Sequence, residues 1–473
     1  MTQIDRPHVF PSEAWMPIAA GLFWLWSGPG YGAFGFLASA LPGSLLLASG
    51  VSMLLLPGDR RIAYFAAGGG VVGMLAALLA FVFAGFWAGL VRAALSFGSF
   101  VAAGSHAMRI EPEFEGVPPP EKSLAMAARV AVDEAILATT VLSSTIPAPP
   151  VLARIREEID EAREQFDAAG WLEKPPDYHG TPPPLDDSEV RRVSERHRGI
   201  DCEHISFESG YAPPPAEPGA ERWQSYTRNR TAHGWGVRGD PERPWLVCVH
   251  GYRLGYPVID FSAFRVEELS GRLGLNVLLP ALPLHGPRTQ GRRSGDGFLS
   301  ASVLDTVHAE AHAMWDLRRM LGWIRAQGAP AVGLYGMSLG AYTVSLLSTL
   351  DEDLACVVAG IPVADIPRLF GRHTPELQRL EAELSGIQEQ HMEEILRVVS
   401  PLALPCRVPK AGRSIFAAVA DRLATPDHAR DLWRHWDEPT LTWYQGGHMT
   451  FGGRPEVKSH LENAFRGLAL AGT

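Results

Sequence analysis

The chain has 473 residues, a formal net charge of −10 and four cysteines. Because a domain typically takes about 100–200 residues, this length allows two or three units. The negative charge argues against a nucleic-acid partner. The cysteines show no C-x-x-C spacing, so no metal site is suggested. Cys248 and Cys356 lie in apolar, strand-like stretches, which indicates buried free thiols.

The first 110 residues predict a membrane region. No charged residue occurs in residues 14–58 or in residues 62–91, and a membrane-spanning helix needs about 20 apolar residues. Residues 33–56 and 62–91 therefore predict two transmembrane helices, which a short loop with Arg60 and Arg61 joins. The alternative is a hydrophobic helical hairpin that packs on a soluble domain.

The residues before these helices leave the number of spans open. Residues 15–32 carry aromatic side chains of the kind that favours the membrane–water interface. These side chains are Trp15, Trp24, Trp26 and Tyr31. The stretch predicts either an interfacial or re-entrant segment or part of a third span, broken at residues 27–30.

The basic residues leave the orientation in the membrane open as well. Cytoplasmic loops carry an excess of Lys and Arg. Arg60 and Arg61 favour a cytoplasmic loop and an external catalytic domain, whereas the other basic residues near the spans favour the reverse. These other residues are Arg6, Arg92, Arg109 and Lys122.

Residues 111–200 predict a connecting region. Residues 121–144 and 150–170 predict two helices, and proline-rich stretches around them indicate linkers. The catalytic domain is expected to occupy residues 201–473, with a first antiparallel strand over residues 202–208.

The most informative motif is Gly-Met-Ser-Leu-Gly at residues 336–340. It follows an apolar stretch that is typical of a buried strand and precedes a predicted helix. A strand, a tight turn and a helix form a nucleophile elbow, in which Gly336 and Gly340 allow the turn that exposes Ser338. Because a serine hydroxyl is a poor nucleophile at neutral pH, this interpretation requires a base and an acid.

Candidates for the acid and the base follow Ser338 in the sequence. His448 comes after a strand-like stretch and a Gln-Gly-Gly loop, and we expect it to be the base. Asp421 ends the preceding strand-like stretch and is the predicted acid. Asp427, at the start of a predicted helix where an acidic residue favours the helix dipole, and Asp365 stay open as alternatives.

An oxyanion hole needs two backbone N–H donors. The N–H of Leu339, directly after the nucleophile, is the first expected donor. Residues 245–252 predict a buried strand that ends in His-Gly-Tyr. Gly251 permits a close backbone approach, and the N–H of Tyr252 is the expected second donor. His250 is interpreted as a core histidine that bonds to the backbone.

From about residue 222 to the C-terminus, the chain resembles an α/β-hydrolase-fold serine hydrolase of the lipase/esterase kind. The matching pieces are residues 249–251, 336–340, 420–421 and 446–448, and residues 276–280 and 283–286 are similar to a poorly characterised α/β-hydrolase-domain group. The resemblance implies an α/β fold with a doubly wound, mostly parallel sheet and helices on both faces. It also implies hydrolysis of an ester or related acyl bond without a cofactor. The HGGG form of the oxyanion motif of many lipases is absent.

Two parts of the catalytic domain are candidates for substrate binding. Residues 363–412 predict a helical insertion, which in this fold often covers the active site as a lid; an ordinary helix on the sheet is the alternative. Arg288, Arg292 and Arg293 follow a strand, and the carboxyl ends of strands lie on the active-site side of such sheets. These arginines are candidates for binding a carboxylate or phosphate headgroup, with a solvated loop as the alternative.

His308 and His312 lie four residues apart in a helix predicted over residues 303–326. The pair has metal-ligand spacing, but no third ligand is evident in the sequence. Both histidines are therefore expected at the helix surface, and no metal is expected.

Together these patterns predict a membrane-anchored, multi-pass serine hydrolase of a carboxylic ester. The substrate is expected to be lipid-like because the site adjoins a membrane, and no cofactor is expected. The expected partners are the ester substrate and the membrane, and the sequence does not define the oligomeric state. The alternatives are an acyltransferase, a thioesterase or an amidase that uses the same triad, and a non-catalytic membrane scaffold that retains the fold.

Overall fold

A computed structural model describes residues 11–27, 32–143 and 147–471 of the chain. Arg6, Tyr31 and residues 28–30 of the break expected at residues 27–30 lie outside the described residues. The chain divides into two compact units. The first contains Met1–Thr145, Ala418–Asp427 and Trp443–Gly453, and the second contains Ile146–Ala417, His428–Thr442 and Arg454–Thr473.

The described residues of the first unit form five α-helices. They are α1 (Trp15–Ser27), α2 (Gly32–Leu55), α3 (Arg61–Phe83), α4 (Phe86–Ile110) and α5 (Leu124–Ser143). Small residues let these helices approach closely: a Cβ added at Gly21 would lie 2.5 Å from the Leu47 backbone nitrogen, and one added at Gly70 would lie 2.8 Å from the Phe100 Cβ. Contacts of this kind are typical of helices that pack inside a membrane.

Among the described residues, three helices are long and apolar enough to cross a membrane. They are Gly35–Leu55, Arg61–Phe83 and Phe86–Ile110. The second span expected from the sequence, residues 62–91, therefore divides in two. Gly85, between α3 and α4, has a φ of 89°, a backbone conformation that glycine adopts without the steric cost of a Cβ. The expectation of a two-helix hairpin is corrected to three candidate spans.

Large apolar side chains of these helices are exposed. They include Leu37, Leu41, Leu55, Leu75, Leu78, Val82, Phe83, Phe86 and Trp87. Soluble proteins rarely expose contiguous apolar surface on this scale, so the pattern is typical of helices that face lipid. Trp15 and Trp26 are also exposed, but Trp24 is only 1% exposed, and its indole N–H donates to the Ser96 hydroxyl at 3.1 Å. The expectation of an interfacial Trp24 is wrong because this side chain faces α4.

Helix α5 belongs to the first unit and not to a separate connecting region. Its contact with α4 is close, since a Cβ added at Gly104 would lie 1.9 Å from the Ala127 carbonyl oxygen. Two late segments of the chain join the same unit: the acid loop (Ala418–Asp427) and the base loop (Trp443–Gly453). They are named after the predicted acid and base that they carry. Val419 of the acid loop packs with Val130 of α5.

The second unit is built around a mixed sheet, which has nine strands across the described residues. They are β1 (Arg191–His197), β2 (Ile200–Glu208), β3 (Thr231–Val237), β4 (Trp245–Val249), β5 (Asn276–Ala281), β6 (Val332–Met337), β7 (Cys356–Gly360), β8 (Arg413–Ala418) and β9 (Thr440–Tyr444). The spatial order is β1-β2-β3-β5-β4-β6-β7-β8-β9. The sheet begins at Arg191, ahead of the boundary at residue 201 that the sequence predicted.

The sheet changes from antiparallel to parallel at β5. The pairs β1–β2, β2–β3 and β3–β5 are antiparallel, whereas β4–β5, β4–β6, β6–β7 and β7–β8 are parallel. Strands β4, β5, β6 and β7 are buried along their whole length, as expected for parallel strands with helices on both faces. With a nucleophile elbow after β6, this is the α/β-hydrolase fold, and the predicted fold class is confirmed.

The helices of the second unit connect and cover the strands. They are α6 (Pro149–Ala168), α7 (Ala220–Ser225), α8 (Pro257–Ala263), α9 (Val303–Ala326), α10 (Leu339–Leu350), α11 (Ile366–His373), α12 (Glu376–Leu384), α13 (Glu389–Leu396), α14 (Pro426–His435), which begins in the acid loop, and α15 (Pro455–Ala471). Helices α11–α13 make up the insertion expected over residues 363–412. Its function as a lid stays a prediction.

Helix α9 is buried, which corrects the expectation for its two histidines. It packs against α6, α10 and α13, so most of its faces are covered. His308 is fully buried, with Nε2 3.1 Å from the Pro218 carbonyl oxygen. His312 is also buried, with Nε2 2.7 Å from the Ser209 hydroxyl. Neither side chain lies at a helix surface, because α9 is an interior helix of the unit.

Candidate active site

Ser338 lies at the turn between β6 and α10. Its φ of 56° and ψ of −116° belong to a region that a non-glycine residue adopts at a cost of about 1–3 kcal/mol. Backbone hydrogen bonds hold this conformation: the Ser338 N–H donates to the Gly360 carbonyl at 3.0 Å, and the Ser338 carbonyl accepts from the Ala341 and Tyr342 N–H groups. A strained serine between a strand and a helix is the feature that defines a nucleophile elbow.

Close backbone contacts require both glycines of the elbow. A Cβ added at Gly336 would lie 2.1 Å from the Gly340 carbonyl oxygen, and one added at Gly340 would lie 2.0 Å from the Val249 carbonyl oxygen. Both distances are far below van der Waals contact, so neither position accepts a side chain without a backbone shift. The spacing of the G-x-S-x-G motif follows from these two contacts.

The end of β4 approaches Ser338 closely. A Cβ added at Gly251 would lie 3.3 Å from the Ser338 Cβ, so the backbone that leads into Tyr252 passes beside the serine. Leu339 is the first residue of α10, and its N–H therefore has no acceptor within the helix. The Leu339 and Tyr252 N–H groups belong to the two backbone segments next to Ser338. Their role as oxyanion donors stays a prediction.

His250 fixes the loop that contains Gly251. Its Nε2 accepts a hydrogen bond from the Leu282 N–H at 3.1 Å, so Nδ1 carries the proton and donates to the Gly251 carbonyl at 2.8 Å. Burial lowers the pKa of His250 to about 4, which keeps the ring neutral. The side chain thus positions the backbone beside Ser338.

The predicted acid and base form a hydrogen-bonded pair in the first unit. His448 Nδ1 lies 2.6 Å from Asp421 Oδ2, and both side chains are buried. The other carboxylate oxygen, Oδ1, accepts from the Leu423 and Ala424 N–H groups at 2.9 and 2.8 Å. Three hydrogen bonds therefore fix the carboxylate, and the carboxylate fixes the orientation of the imidazole.

Opposing effects set the pKa of His448. Burial acts to lower it, but the negative charge of Asp421, the hydrogen bond to that carboxylate and the charge of Asp133 outweigh burial and raise the pKa above its usual value. A buried imidazole with a raised pKa is a stronger base than a free one. Such a shift, caused by a specific carboxylate partner, is characteristic of functional sites.

A second carboxylate, which was not predicted from the sequence, lies beside this pair. Asp133 of α5 accepts hydrogen bonds from the N–H groups of His448, Met449 and Arg422 at 2.6, 3.1 and 3.1 Å. Burial, followed by the charge of Asp421, raises the pKa of Asp133. An acidic residue at position 133 of an apolar helix was the available signal, but the sequence alone did not indicate its partners.

The alternative acids occupy other positions. Asp365 accepts the Arg368 N–H at 3.0 Å and caps the start of α11. Asp427 lies in the first turn of α14, where an acidic side chain interacts favourably with the helix dipole. The carboxylate that bonds to His448 Nδ1 is Asp421. The geometry therefore favours Asp421 as the acid.

The three candidate arginines have different environments. Arg288 is 1% exposed and pairs with Asp316 at 2.8 Å, and it also donates to the Asn229 carbonyl at 2.9 Å. This guanidinium has no free surface for a substrate anion, so its assignment to headgroup binding is wrong. Arg292 and Arg293 are exposed, and headgroup binding by these two stays a prediction.

The structure brings Asp421 and His448 together in the first unit, and Ser338, Gly251 and Leu339 together in the second. Within the part of the chain that the structure describes, no group of three His, Cys, Asp or Glu side chains is arranged to hold a metal ion.

No family model matches the chain. It is 41% identical over 344 residues to the uncharacterized protein Rv2627c of Mycobacterium tuberculosis strain H37Rv, and 41% identical over 344 residues to the uncharacterized protein MT2702 of strain CDC 1551. Each alignment covers 72% of this chain and 82% of the relative. The chain belongs to their family. The names of these two relatives state no activity.

Two solved structures are similar in fold. One is an acetyl xylan esterase from Paenibacillus sp. R4, with 15% identity and a TM-score of 0.43, over 62% of this chain and 98% of that one. The other is acetyl xylan esterase 1 from Thermoanaerobacterium sp. JW/SL YS485, with 14% identity and a TM-score of 0.41, over 62% and 98%. At these identities and TM-scores, neither structure bears on the substrate of this family.

Proposed function

We propose that the protein is a membrane-anchored serine hydrolase that cleaves a carboxylic ester. The observation that carries the proposal is the strained elbow at Ser338, and the buried hydrogen bond between Asp421 and His448 supports it. A strained backbone and a buried acid–imidazole pair both cost folding free energy. An acyl-transfer site gives a physical reason for one chain to maintain both.

In the proposed first step, the Ser338 Oγ attacks the carbonyl carbon of the ester while His448 Nε2 takes the serine proton. Asp421 holds Nδ1, which leaves Nε2 as the basic nitrogen, and it stabilises the imidazolium that forms. The carbonyl oxygen becomes an oxyanion, for which the Leu339 and Tyr252 N–H groups are the proposed donors. Loss of one such donor costs about 3–4 kcal/mol of transition-state stabilisation.

In the second step, the tetrahedral intermediate collapses, the carbon–oxygen bond breaks, and the leaving alcohol takes the proton from His448. Water then attacks the acyl-serine and gives a proton to His448. A second collapse returns that proton to the Ser338 oxygen and releases the acid. The raised pKa of His448 favours proton uptake in both additions.

We propose that α2, α3 and α4 anchor this hydrolase in a bilayer. Their length and hydropathy support the proposal, as do the exposed apolar side chains that a soluble protein would bury. An active site held at a membrane meets apolar esters at high local concentration. A lipid-like ester is therefore the proposed substrate.

Turnover of a substrate series by the full-length protein in detergent micelles tests the function. We expect hydrolysis of p-nitrophenyl esters, faster with longer acyl chains, and a loss of at least about 10³-fold in Ser338→Ala. Ser345→Ala is the matched control, because this serine lies on the same helix and donates to the Ala341 carbonyl at 2.6 Å.

Thioester and amide analogues, and an alcohol acceptor in place of water, complete the series. Turnover of only one of these would replace the ester assignment by a thioesterase, an amidase or an acyltransferase. No turnover of any substrate, or equal turnover by wild type and Ser338→Ala, would contradict the proposal and favour a non-catalytic scaffold.

A further inference from the structure

One carboxylate of the N-terminal helices holds both loops of the acid–base pair. Asp133 Oδ2 accepts from the N–H of His448 in the base loop at 2.6 Å and from the N–H of Arg422 in the acid loop at 3.1 Å. Asp133 Oδ1 accepts from the Met449 N–H at 3.1 Å. Asp133 is fully buried, so these three donors replace the water that the carboxylate would otherwise bind.

The adjacent residue of α5 strengthens the same connection. Glu134 is buried, and its carboxylate accepts from Arg422 Nε at 2.5 Å. The Arg422 guanidinium also pairs with Glu111, directly after α4. The residue next to Asp421 is therefore bound to α5 through its backbone by Asp133 and through its side chain by Glu134.

The base loop is shaped to reach Asp133. A Cβ added at Gly447 would lie 2.5 Å from Asp133 Oδ2, so the backbone approaches the carboxylate too closely for any side chain. Gly447 has a φ of −107°, which any residue adopts. The glycine is therefore needed for space beside Asp133 and not for backbone freedom.

From this geometry we propose that Asp133 is a positioning residue for the acid–base pair and that α5 is part of the active site. The inference rests on the proposed function, because it gives Asp133 its role through His448. By holding the backbone on both sides of the Asp421–His448 hydrogen bond, Asp133 sets where the imidazole points. A displacement of about 1 Å at a catalytic group can cost about 100-fold in rate.

The charge of Asp133 allows a pH measurement to distinguish a positioning role from one that only stabilises the fold. The acidic groups that face His448 are Asp421 from the acid loop and Asp133 from α5, and both act to raise the pKa of His448. Because burial raises the pKa of Asp133 itself to about 7, its charge is fully present only above that pH, and there its removal lowers the pKa of His448. A residue that only stabilised the fold would leave the pH profile unchanged.

The test compares fluorophosphonate labelling of Ser338 in full-length wild type and Asp133→Asn across pH. Asn keeps the shape but places an amide N–H₂ among three N–H donors. We expect labelling about 100-fold slower, a midpoint of the pH profile at lower pH, and faster amide hydrogen exchange in both loops.

Two pairs of variants separate positioning from folding. Glu217→Gln changes a buried carboxylate of the second unit, which accepts from the Tyr178 hydroxyl at 2.8 Å, and should leave all three readouts at wild-type values. If Asp133→Asn does not fold, Gly447→Ala displaces the base loop without a change in charge and should slow labelling. Gly452→Ala, where a Cβ would have nothing within 4 Å, should not.

The outcomes distinguish this inference from the proposed function. Wild-type labelling with an unchanged rate and midpoint in Asp133→Asn would overturn the positioning role and leave the hydrolase intact. Absent labelling in wild type would overturn both the hydrolase and the positioning role of Asp133. Unchanged hydrogen exchange in Asp133→Asn would show that this carboxylate does not hold the two loops.

A separate observation, the distribution of basic residues in the first unit, bears on the side of the membrane. Helices α1 and α4 are antiparallel: Glu13, just before α1, pairs with Arg109 near the end of α4 at 3.3 Å, and Ser27 at the end of α1 bonds to Arg92 near the start of α4 at 2.7 Å. One end of the helices therefore contains the start of α1, the start of α3 and the end of α4. We call it the basic end.

The basic end carries Arg60, Arg61 and Arg109, whereas the opposite end carries Arg92 near the start of α4. The sequence between α1 and α2, and the Ala84–Gly85 turn between α3 and α4, contain no Lys or Arg. The acid loop lies at the basic end, because Val419 packs with residues at the start of α3 and the end of α4. Since cytoplasmic loops carry the excess of Lys and Arg, we infer that the basic end and both loops face the cytoplasm.

Cysteine accessibility tests this orientation in the full-length protein. Gly58→Cys lies in the loop at the basic end and Ala84→Cys at the opposite end, and the four native cysteines are buried. With a membrane-impermeant maleimide on intact cells, we expect labelling at position 84 only, and labelling at 58 after lysis. The reverse pattern would overturn the orientation. Labelling of both positions, or of neither, in intact cells would overturn the insertion itself.

Discussion

Replacement of Asp421 by asparagine is the sharpest test of the acid–base pair. Asp421 Oδ1 accepts from the Leu423 and Ala424 N–H groups, and Oδ2 bonds to His448 Nδ1 at 2.6 Å. In Asp421→Asn, the single amide oxygen satisfies the two N–H donors, so the amide N–H₂ group faces Nδ1. This arrangement requires Nδ1 to act as the acceptor.

The size of the effect follows from the tautomer. An imidazole that accepts at Nδ1 carries its proton on Nε2, and that nitrogen cannot take the proton of Ser338. A change of this kind in a Ser-His-Asp site costs about 10⁴-fold in kcat. We therefore expect a loss of about 10³- to 10⁴-fold, or about 4–5.5 kcal/mol at 1.36 kcal/mol for each factor of ten.

Ester turnover and thermal unfolding, measured on the same preparations, check this prediction. Asp365→Asn and Asp427→Asn are the matched controls, because both are acids that the sequence left open. We expect both to keep turnover within a few-fold of wild type, and Asp365→Asn keeps an N-cap because the Asn side-chain oxygen also accepts from the Arg368 N–H. More than a tenth of wild-type turnover in folded Asp421→Asn, or loss of turnover in either control, would refute the assignment of Asp421.

Three further perturbations test other parts of the account. The Cβ of Gly340→Ala would lie 2.0 Å from a carbonyl oxygen, so this variant should abolish turnover and lower the free energy of unfolding by at least about 1–3 kcal/mol. Gly322→Ala, at an open position of α9, should raise the free energy of unfolding by about 0.5–1 kcal/mol. Urea unfolding measures both changes. Only a neutral imidazole accepts a proton, and the pKa of His448 is raised. The value of kcat/KM should therefore rise with pH through a midpoint above about 6.5. A midpoint below that value would contradict the raised pKa of His448. Arg288→Met should lower the free energy of unfolding by about 3–5 kcal/mol, because it leaves Asp316 buried without the guanidinium that pairs with it. A raised KM for anionic esters in the folded variant would show that Arg288 binds substrate.

Local sequence patterns were enough to predict the elbow and the fold class. The G-x-S-x-G motif, the apolar strand before it and the helix after it lie within about 20 consecutive residues, and each depends on near neighbours. The turn between α3 and α4 also depends on near neighbours, but uncharged residues continue through Gly85 without a break. Its position was therefore missed.

Long-range contacts could not be predicted from one sequence. Asp133 and His448 are 315 positions apart, and no spacing rule connects a carboxylate in an early helix with a late loop. The same limit explains the error for His308 and His312. Their spacing was visible, but the segments that cover α9 are distant in sequence, so the histidines were placed at the surface although they are buried.

The most direct test of Ser338 as the nucleophile is to map the site of a fluorophosphonate adduct by peptide mass spectrometry on the full-length protein in membranes. We expect one adduct, on Ser338, which forms in wild type, forms much more slowly in Asp421→Asn and is absent from His448→Ala. No adduct on folded wild type, an adduct on another serine, or undiminished modification of Ser338 in His448→Ala would contradict it.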